Sequence, residues 1–277
     1  MYPNDVAENE RLDLQYETLK ILFDQKTFFA PVSHPRKVLD VGTGTGGWVM
    51  DVAQQFPECE VTGIDLSPIQ PDWVPDNVHF VVDDATEEDW MIEPDSYDLI
   101  HTRVMLTSFE DFREIIARSF KYLKPGGWME SQEFMPSVYC DDSTMTPQHP
   151  FYQWTKLYDE AVMKMNRPGR IANKLKRWYE QAGFVDVQEI VFKLPINSWP
   201  KDEKLKRLGR LHEAVMQDGL QAFSLAPFHR AFGWSKDEIE VSLVDARKSL
   251  SDRNVHTYSK VFVVWGRKPY PGEARTA

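Results

Sequence analysis

The stretch Lys37-Val38-Leu39-Asp40-Val41-Gly42-Thr43-Gly44-Thr45-Gly46-Gly47-Trp48-Val49 decides how the chain is read. A short apolar run enters a glycine cluster, and behind the glycines Trp48, Val49, Val52, Ala53 and Phe56 recur with helical period. Strand, tight turn and helix therefore follow in immediate succession. The alternation continues outward. Residues 60–65, 78–82 and 97–101 read as a second, third and fourth strand, and 109–123 as a helix with Phe112, Ile115, Ile116, Phe120 and Leu123 on one side. Lys124-Pro125-Gly126-Gly127 reads as a turn feeding a fifth strand over 128–134. Strands separated by helices of this length predict an α/β fold with a mostly parallel, doubly wound sheet.

Farther out the signals thin. Residues 10–23 place Leu12, Tyr16, Leu19, Leu22 and Phe23 at helical spacing, which predicts an amphipathic helix within a capping segment, residues 1–30. The proline, serine and aspartate of 135–145 predict a loop. Helices are expected over 151–165, 171–182 and 201–220, with Gly183 as the residue that closes the second. Ser235 followed three residues later by Glu238 is a capping box opening a helix over 235–250. Strands are expected over 184–194 and 256–265. The reading is one domain, residues 1–277, in which helical insertions at 136–182 and 195–255 form a lid over the substrate.

Composition excludes several classes of function. A chain of 277 residues that is 42% hydrophobic can build a packed core, so wholesale disorder is excluded. Lys and Arg number 32 against 43 Asp and Glu, a net charge of −11, which argues against a protein whose work is holding a nucleic-acid backbone. Cys59 and Cys140 are too few for a disulfide scaffold or a Cys-rich zinc site, and no metal-ligand spacing occurs. No stretch approaches the ~20 apolar residues that cross a bilayer, and the polar, acidic start is unlike a signal peptide. A cytoplasmic protein without membrane or nucleic-acid partner is expected; no motif specifies its oligomeric state.

Where a strand hands over to a helix around glycines, main-chain N–H groups and the helix amino end make a cradle for a nucleotide-like ligand, and the glycines permit tight turns and close approach. Gly42, Gly44 and Gly47 satisfy the dinucleotide spacing G-x-G-x-x-G, while Gly42, Gly44 and Gly46 equally satisfy G-x-G-x-G. Asp65, at the end of the second strand, can accept both hydroxyl hydrogens of a ribose. Asp40, just ahead of the glycines, would repel a pyrophosphate yet suit a cationic or amino-bearing ligand. Asp84 lies in Asp83-Asp84-Ala85-Thr86 after the third strand, where a carboxylate could accept from an adenine amino group. Glu87, Glu88, Asp89 and Asp95 nearby read as a solvated acidic face.

Val38 to Gly46, Gly63-Ile64-Asp65-Leu66-Ser67, Asp83-Asp84-Ala85, Tyr97-Asp98-Leu99-Ile100 and Leu123-Lys124-Pro125-Gly126-Gly127, in this order, resemble the class I S-adenosylmethionine-dependent methyltransferases. Tyr2-Pro3-Asn4-Asp5, Arg11-Leu12-Asp13-Leu14-Gln15, His101-Thr102-Arg103 and Trp128 to Phe134 narrow the resemblance to the fungal secondary-metabolism group that includes the LaeA-like regulators. The resemblance implies a seven-stranded Rossmann-like sheet, six strands parallel and the last antiparallel, in the order 3-2-1-4-5-7-6 with helices on both faces. It implies S-adenosyl-L-methionine as cofactor and methyl transfer by in-line displacement to a small aromatic, polyketide- or alkaloid-like acceptor. Carried over residue by residue, Asp40, Gly42, Thr43, Gly44 and Gly46 would hold the methionine part, Asp65 with Leu66 the ribose, and Asp84 with Ala85 the adenine edge. His101 and Arg103 would line the site, and Tyr2 and Tyr16 would close over it.

Candidates for a general base are His101, His149, His212, His229 and Glu133. Placement at the carboxyl ends of the fourth and fifth strands, where open α/β sheets bind ligands, favours His101 and Glu133, and either could contact the acceptor. His149, His212 and His229 read more readily as packing or loop residues. Aromatic side chains crowd the second half, among them Phe151, Trp154, Tyr158, Phe223, Phe228 and Trp234; packing accounts for most, and a flat apolar acceptor would suit a lid they line. Three other readings stay open: a regulator that binds the cofactor without transferring methyl, a relative recruited to a non-methylating reaction, and a nicotinamide-dependent oxidoreductase using Gly47.

Overall fold

A computed structural model describes residues 4–90 and 92–273. Its elements run α1 (Val6–Leu22), β1 (Lys37–Val41), α2 (Gly47–Gln55), β2 (Glu60–Asp65), β3 (Val78–Val82), β4 (Tyr97–Arg103), α3 (Phe112–Tyr122), β5 (Leu123–Cys140), α4 (Pro150–Lys164), α5 (Leu175–Ala182), β6 (Val185–Pro195), α6 (Glu203–Phe232), α7 (Lys236–Leu250) and β7 (Thr257–Arg267). The strands form a seven-stranded sheet in the order β3-β2-β1-β4-β5-β7-β6, as expected for the doubly wound class. β1 pairs in parallel with β2 and β4, β2 with β3, and β4 with β5. The chain divides into two compact units.

The first unit comprises Lys26–Glu133, Ala172–Ile190 and Phe262–Ala277. Its central strands are buried on both faces, because a parallel sheet flanked by helices has no solvated side. Val38, Leu39 and Val41 of β1, Val61 of β2, Leu99 and Ile100 of β4 and Met129 of β5 are fully buried, as are Trp48 and Val52 of α2. Ile115 and Ile116 of α3 and Tyr179 of α5 complete this core. A chain of buried hydroxyls pairs within it: Thr102 Oγ1 donates to Ser131 Oγ at 2.8 Å, and Ser131 Oγ lies 2.7 Å from the Tyr179 hydroxyl.

Lys124-Pro125-Gly126-Gly127, expected as a turn ahead of the fifth strand, belongs to β5. Gly126 N–H donates to the Lys268 carbonyl and Lys268 N–H to that of Gly127, so the segment is paired, while the register slips opposite Tyr97 and Leu99. Gly126 takes φ +84°, and any side chain there would strike Tyr270. The kink was legible; its pairing with a distant strand was not.

The second unit comprises Met1–Gln25, Phe134–Ile171 and Val191–Val261. Here α4, α6 and α7 bury Phe151, Trp154, Tyr158, Leu220, Phe228, Ile239, Leu243 and Leu250 in one cluster. Each such side chain, fully enclosed, stabilises by roughly 1.5–3 kcal/mol. Residues 135–140, expected as loop, extend β5, with Met135 and Val138 buried. α6 runs on to Phe232, well past the expected end at 220, through Pro227. The buried Leu220, Pro227 and Phe228 offset the main-chain hydrogen bond that Pro227 forgoes.

The buried face of α1 keeps the expected Leu19 and Leu22, with Phe23 buried just beyond the helix, but departs from expectation toward its start. It consists of Glu8, Arg11, Thr18, Leu19 and Leu22, while Leu12 and Tyr16 are half-buried. Apolar periodicity overlooked it because a buried ion pair occupies it. Arg11 binds both Glu8 carboxylate oxygens at 2.8 Å and lies 5.0 Å over the Phe223 ring of α6.

The capping box at α7 forms as read. Ser235 Oγ accepts from Glu238 N–H, and the Glu238 carboxylate accepts from Ser235 N–H at 2.8 Å. Ser235→Ala should therefore destabilise the protein by about 1 kcal/mol, seen as a lowered urea midpoint at unchanged slope; an unchanged midpoint would show that the cap contributes nothing measurable.

Candidate functional site

The turn after β1 is fastened to β2 by main-chain hydrogen bonds. Gly42 and Thr43 N–H both donate to the Ile64 carbonyl, at 2.9 and 3.0 Å, and Gly46 N–H closes the turn on the Thr43 carbonyl at 3.1 Å. Gly44 N–H donates to Asp65 Oδ2 at 2.8 Å, and Gln70 Nε2 donates to the Gly44 carbonyl at 2.6 Å. Two glycines are required by what surrounds them. Gly42 has φ +75° and any side chain would strike Met105; Gly46 has φ +83° and any side chain would strike Phe80. Part of the demand read as close ligand approach is thus exerted by the chain itself.

Asp65 stands half-exposed at the tip of β2, its Oδ1 accepting Ser67 N–H at 3.0 Å. Leu66 beside it is 68% exposed. The Asp65 carbonyl accepts Asp83 N–H at 3.0 Å, which brings the next acidic loop alongside. There Asp84 Oδ1 accepts Thr86 N–H and Oγ1 at 2.8 and 2.7 Å, and Ala85 is buried.

Behind the turn the side chains are enclosed. Asp40 and His101 are register partners, 2% and 0% exposed, and His101 Nδ1 lies 2.8 Å from Asp40 Oδ1. The carboxylate can only accept, so Nδ1 carries the proton. The imidazole lies flat on the Trp48 indole, ring centroids 3.9 Å apart and planes 5° apart. Its Nε2 is buried and has no hydrogen-bond partner among the described residues.

Glu133 is likewise enclosed. Its Oε2 accepts Met105 N–H at 2.9 Å, with Leu106 N–H at 3.4 Å. Burial pushes this carboxyl up to about 8, against the opposing pull of those N–H groups and of Arg103. Val104, at φ +57°, is a β-branched residue in the left-handed region, and this backbone turns both N–H groups toward Glu133. Glu133 thereby secures the loop that carries Met105 against Gly42.

The first unit thus gathers Asp40, Gly42, Thr43, Gly44, Gly46, Asp65, Leu66, Asp84, Ala85, His101, Arg103 and Glu133. Tyr16 lies in α1 of the second unit, and Tyr2 lies outside the described residues. His212 stacks on Phe134 and meets Ser259 Oγ at 3.2 Å, burial pushing it down to about 3. His229 Nδ1 donates to the Trp234 carbonyl at 2.9 Å, and His149 caps α4. Sequence reasoning missed the roles of Trp48, Met105, Gln70 and Glu130. Trp48 was visible only as a core position of a helix, and strand alternation alone could have paired Glu130 with His101.

Comparison with known proteins identifies the family. A family model described as a methyltransferase domain matches residues 14–189. The chain is 35% identical over 271 residues to "Methyltransferase pytC" of Aspergillus terreus, covering 97% of this chain and 83% of that one. It is 34% identical over 275 residues to "Secondary metabolism regulator LAE1" of Cochliobolus heterostrophus, covering 97% and 90%. Among solved structures, phosphoethanolamine N-methyltransferase 2 of Haemonchus contortus, in complex with S-adenosyl-L-methionine, shares the fold with TM-score 0.54 at 19% identity, over 92% of this chain and about half, 52%, of that one. The chain belongs to the methyltransferase-domain family, as a class I S-adenosylmethionine-dependent enzyme related to fungal secondary-metabolism methyltransferases.

Glu133 sets a pH dependence. Its folded value of about 8 lies above the ordinary 4.5, so between these the folded state holds a proton that the unfolded chain has lost. Stability should therefore fall as pH rises through this window, by up to about 1.4 kcal/mol per unit, and level off above it. Glu133→Gln, which cannot ionise, should lose this component, so chemical unfolding from pH 5 to 9 should show the variant gaining on wild type. Parallel curves would show that Glu133 is charged throughout.

Proposed function

We propose that the protein transfers a methyl group from S-adenosylmethionine to a small organic acceptor of the secondary-metabolite class, aromatic or polyketide- and alkaloid-like in character. The observation that carries the reading is Asp65. Each carboxylate oxygen takes one main-chain N–H, from Gly44 or Ser67, and retains a further lone pair on a half-exposed side chain at a strand tip. Such a carboxylate is fixed in direction and able to accept both hydroxyls of a ribose.

The turn favours an amino-acid ligand over a pyrophosphate. Gly42, Thr43, Gly44 and Gly46 have already donated their N–H groups to Ile64, Asp65 and Thr43, so the cradle offers few donors to a phosphate. Asp40 places a carboxylate behind the turn, and Gly46, as N-cap of α2, leaves the first helical turn without a side-chain cap. An ammonium and a carboxylate find complementary partners there; two phosphates do not. This supports the G-x-G-x-G reading against the dinucleotide one.

On this reading Asp65 holds the ribose, Asp40 and the glycine turn hold the amino-acid end, and Asp84 with Ala85 faces the base. When bound, the cofactor supplies an electrophilic methyl group on a sulfonium sulfur. The chain's own contribution is placement and exclusion of water, the larger share of what such a transfer requires. A phenol or carboxylic acid acceptor needs little help in losing its proton near neutral pH, whereas an amine or alcohol gains more from a base. The enclosed aromatic side chains of α4, α6 and α7 are accounted for by their own cluster, and the secondary-metabolite class of the acceptor is supported by the likeness to a secondary metabolism regulator.

Calorimetry with S-adenosylhomocysteine tests the reading. Wild type should bind, and Asp65→Ala should weaken binding by about 100-fold or more, the worth of two hydrogen bonds to a charged group. Unchanged affinity in the variant, or no binding by wild type, would overturn it. Labelled methyl from S-adenosylmethionine appearing on a small molecule from a fungal extract supports the small-molecule acceptor, and no labelled small molecule counts against it.

A further inference from the structure

Asp40 of β1, His101 of β4 and Glu130 of β5 are successive register partners, so they form one row across the centre of the sheet on a single face. All three are enclosed, at 2%, 0% and 0% exposure. Such a row is costly unless each member is held. Glu130 Oε2 accepts the N–H groups of Phe29 and Ala30, each at 2.7 Å, and its Oε1 accepts from Gln132 Nε2 at 2.8 Å. Gln132 Nε2 and Trp48 Nε1 both donate to the Thr27 carbonyl, at 3.1 and 2.7 Å. The indole is thereby fixed, and the imidazole of His101 is fixed on the indole.

We infer that His101 is a positioning residue: its Nδ1–H fixes the Asp40 carboxylate behind the glycine turn, and its Nε2 takes no part in binding or proton transfer. Three observations support this. Nδ1 is spent on Asp40 at 2.8 Å; Nε2 is out of reach of solvent; and the ring is clamped against Trp48, so it cannot rotate to present Nε2 without disrupting the core. A histidine acting as a base keeps this same Nδ1–carboxylate bond but needs its Nε2 at an open end of the strand, and here that nitrogen is enclosed. What the ring does instead is choose which way the enclosed Asp40 carboxylate points, and so the negative field that the ammonium end of an amino-acid ligand would meet across the turn. The inference rests on the cofactor reading given above.

Asn and Gln separate the two nitrogens. An Asn amide can place its N–H₂ where Nδ1 stands, whereas Gln reaches toward the position of Nε2. S-adenosylhomocysteine affinity is measured by calorimetry for wild type, H101N and H101Q, with thermal melts to check folding. H101Q should bind at least about tenfold more weakly than wild type, and H101N should restore affinity to within about threefold. H101Q equal to wild type, or H101N as weak as H101Q, overturns the positioning role. If H101Q melts too low to assay, H101N alone decides: retained affinity supports the role, and a tenfold loss overturns it. Failure of wild type to bind would instead sink the cofactor reading itself, so the two failures are told apart.

Discussion

A carboxylate reaching back over a turn holds the proposed site together. Asp65, at the tip of β2, accepts the N–H of Gly44, while Ile64 just before it accepts those of Gly42 and Thr43. The glycine turn is therefore tied to its neighbouring strand without help from any ligand. Pre-set geometry of this kind spares a ligand the entropy of ordering the loop. It also decides what the turn can bind, because N–H groups spent on β2 are no longer available to phosphate.

Beneath the turn, the sheet replaces a dry apolar centre with ionisable groups. Asp40, His101 and Glu130 would destabilise the unit if any were unpartnered, yet Asp40 is held by an imidazole and Glu130 accepts from two main-chain N–H groups and an amide. The orphan is His101 Nε2. Glu133 repeats the pattern one loop away, where a strained Val104 and a buried carboxyl together place Met105 under Gly42.

How much of this was legible depended on whether the signal was local. β1, the turn, α2 and Asp65 could be read because glycine spacing and helical period lie within one contiguous stretch, and the capping box of α7 needs only Ser235 and Glu238. The paired Gly126 segment was not legible, since its partner Lys268 lies at the other end of the chain. Nor was the buried face of α1, where Glu8 and Arg11 look like surface charges until their mutual pairing is seen. The length of α6 was obscured by Pro227, a breaker that tertiary burial overrides. At the site itself, residue identities were legible but their accessibility was not. His101 and Glu133 stand near strand ends as expected, yet both side chains are enclosed. Enclosure is a property of what packs above a residue, and here that is Trp48 and the backbone of Met105.

A crystal structure of the protein with S-adenosylhomocysteine tests the central claim most directly. The account predicts the ribose hydroxyls within about 3 Å of the two Asp65 carboxylate oxygens, with the Gly44 and Ser67 hydrogen bonds intact. A ligand seated elsewhere, or a ribose turned away from Asp65, would contradict it.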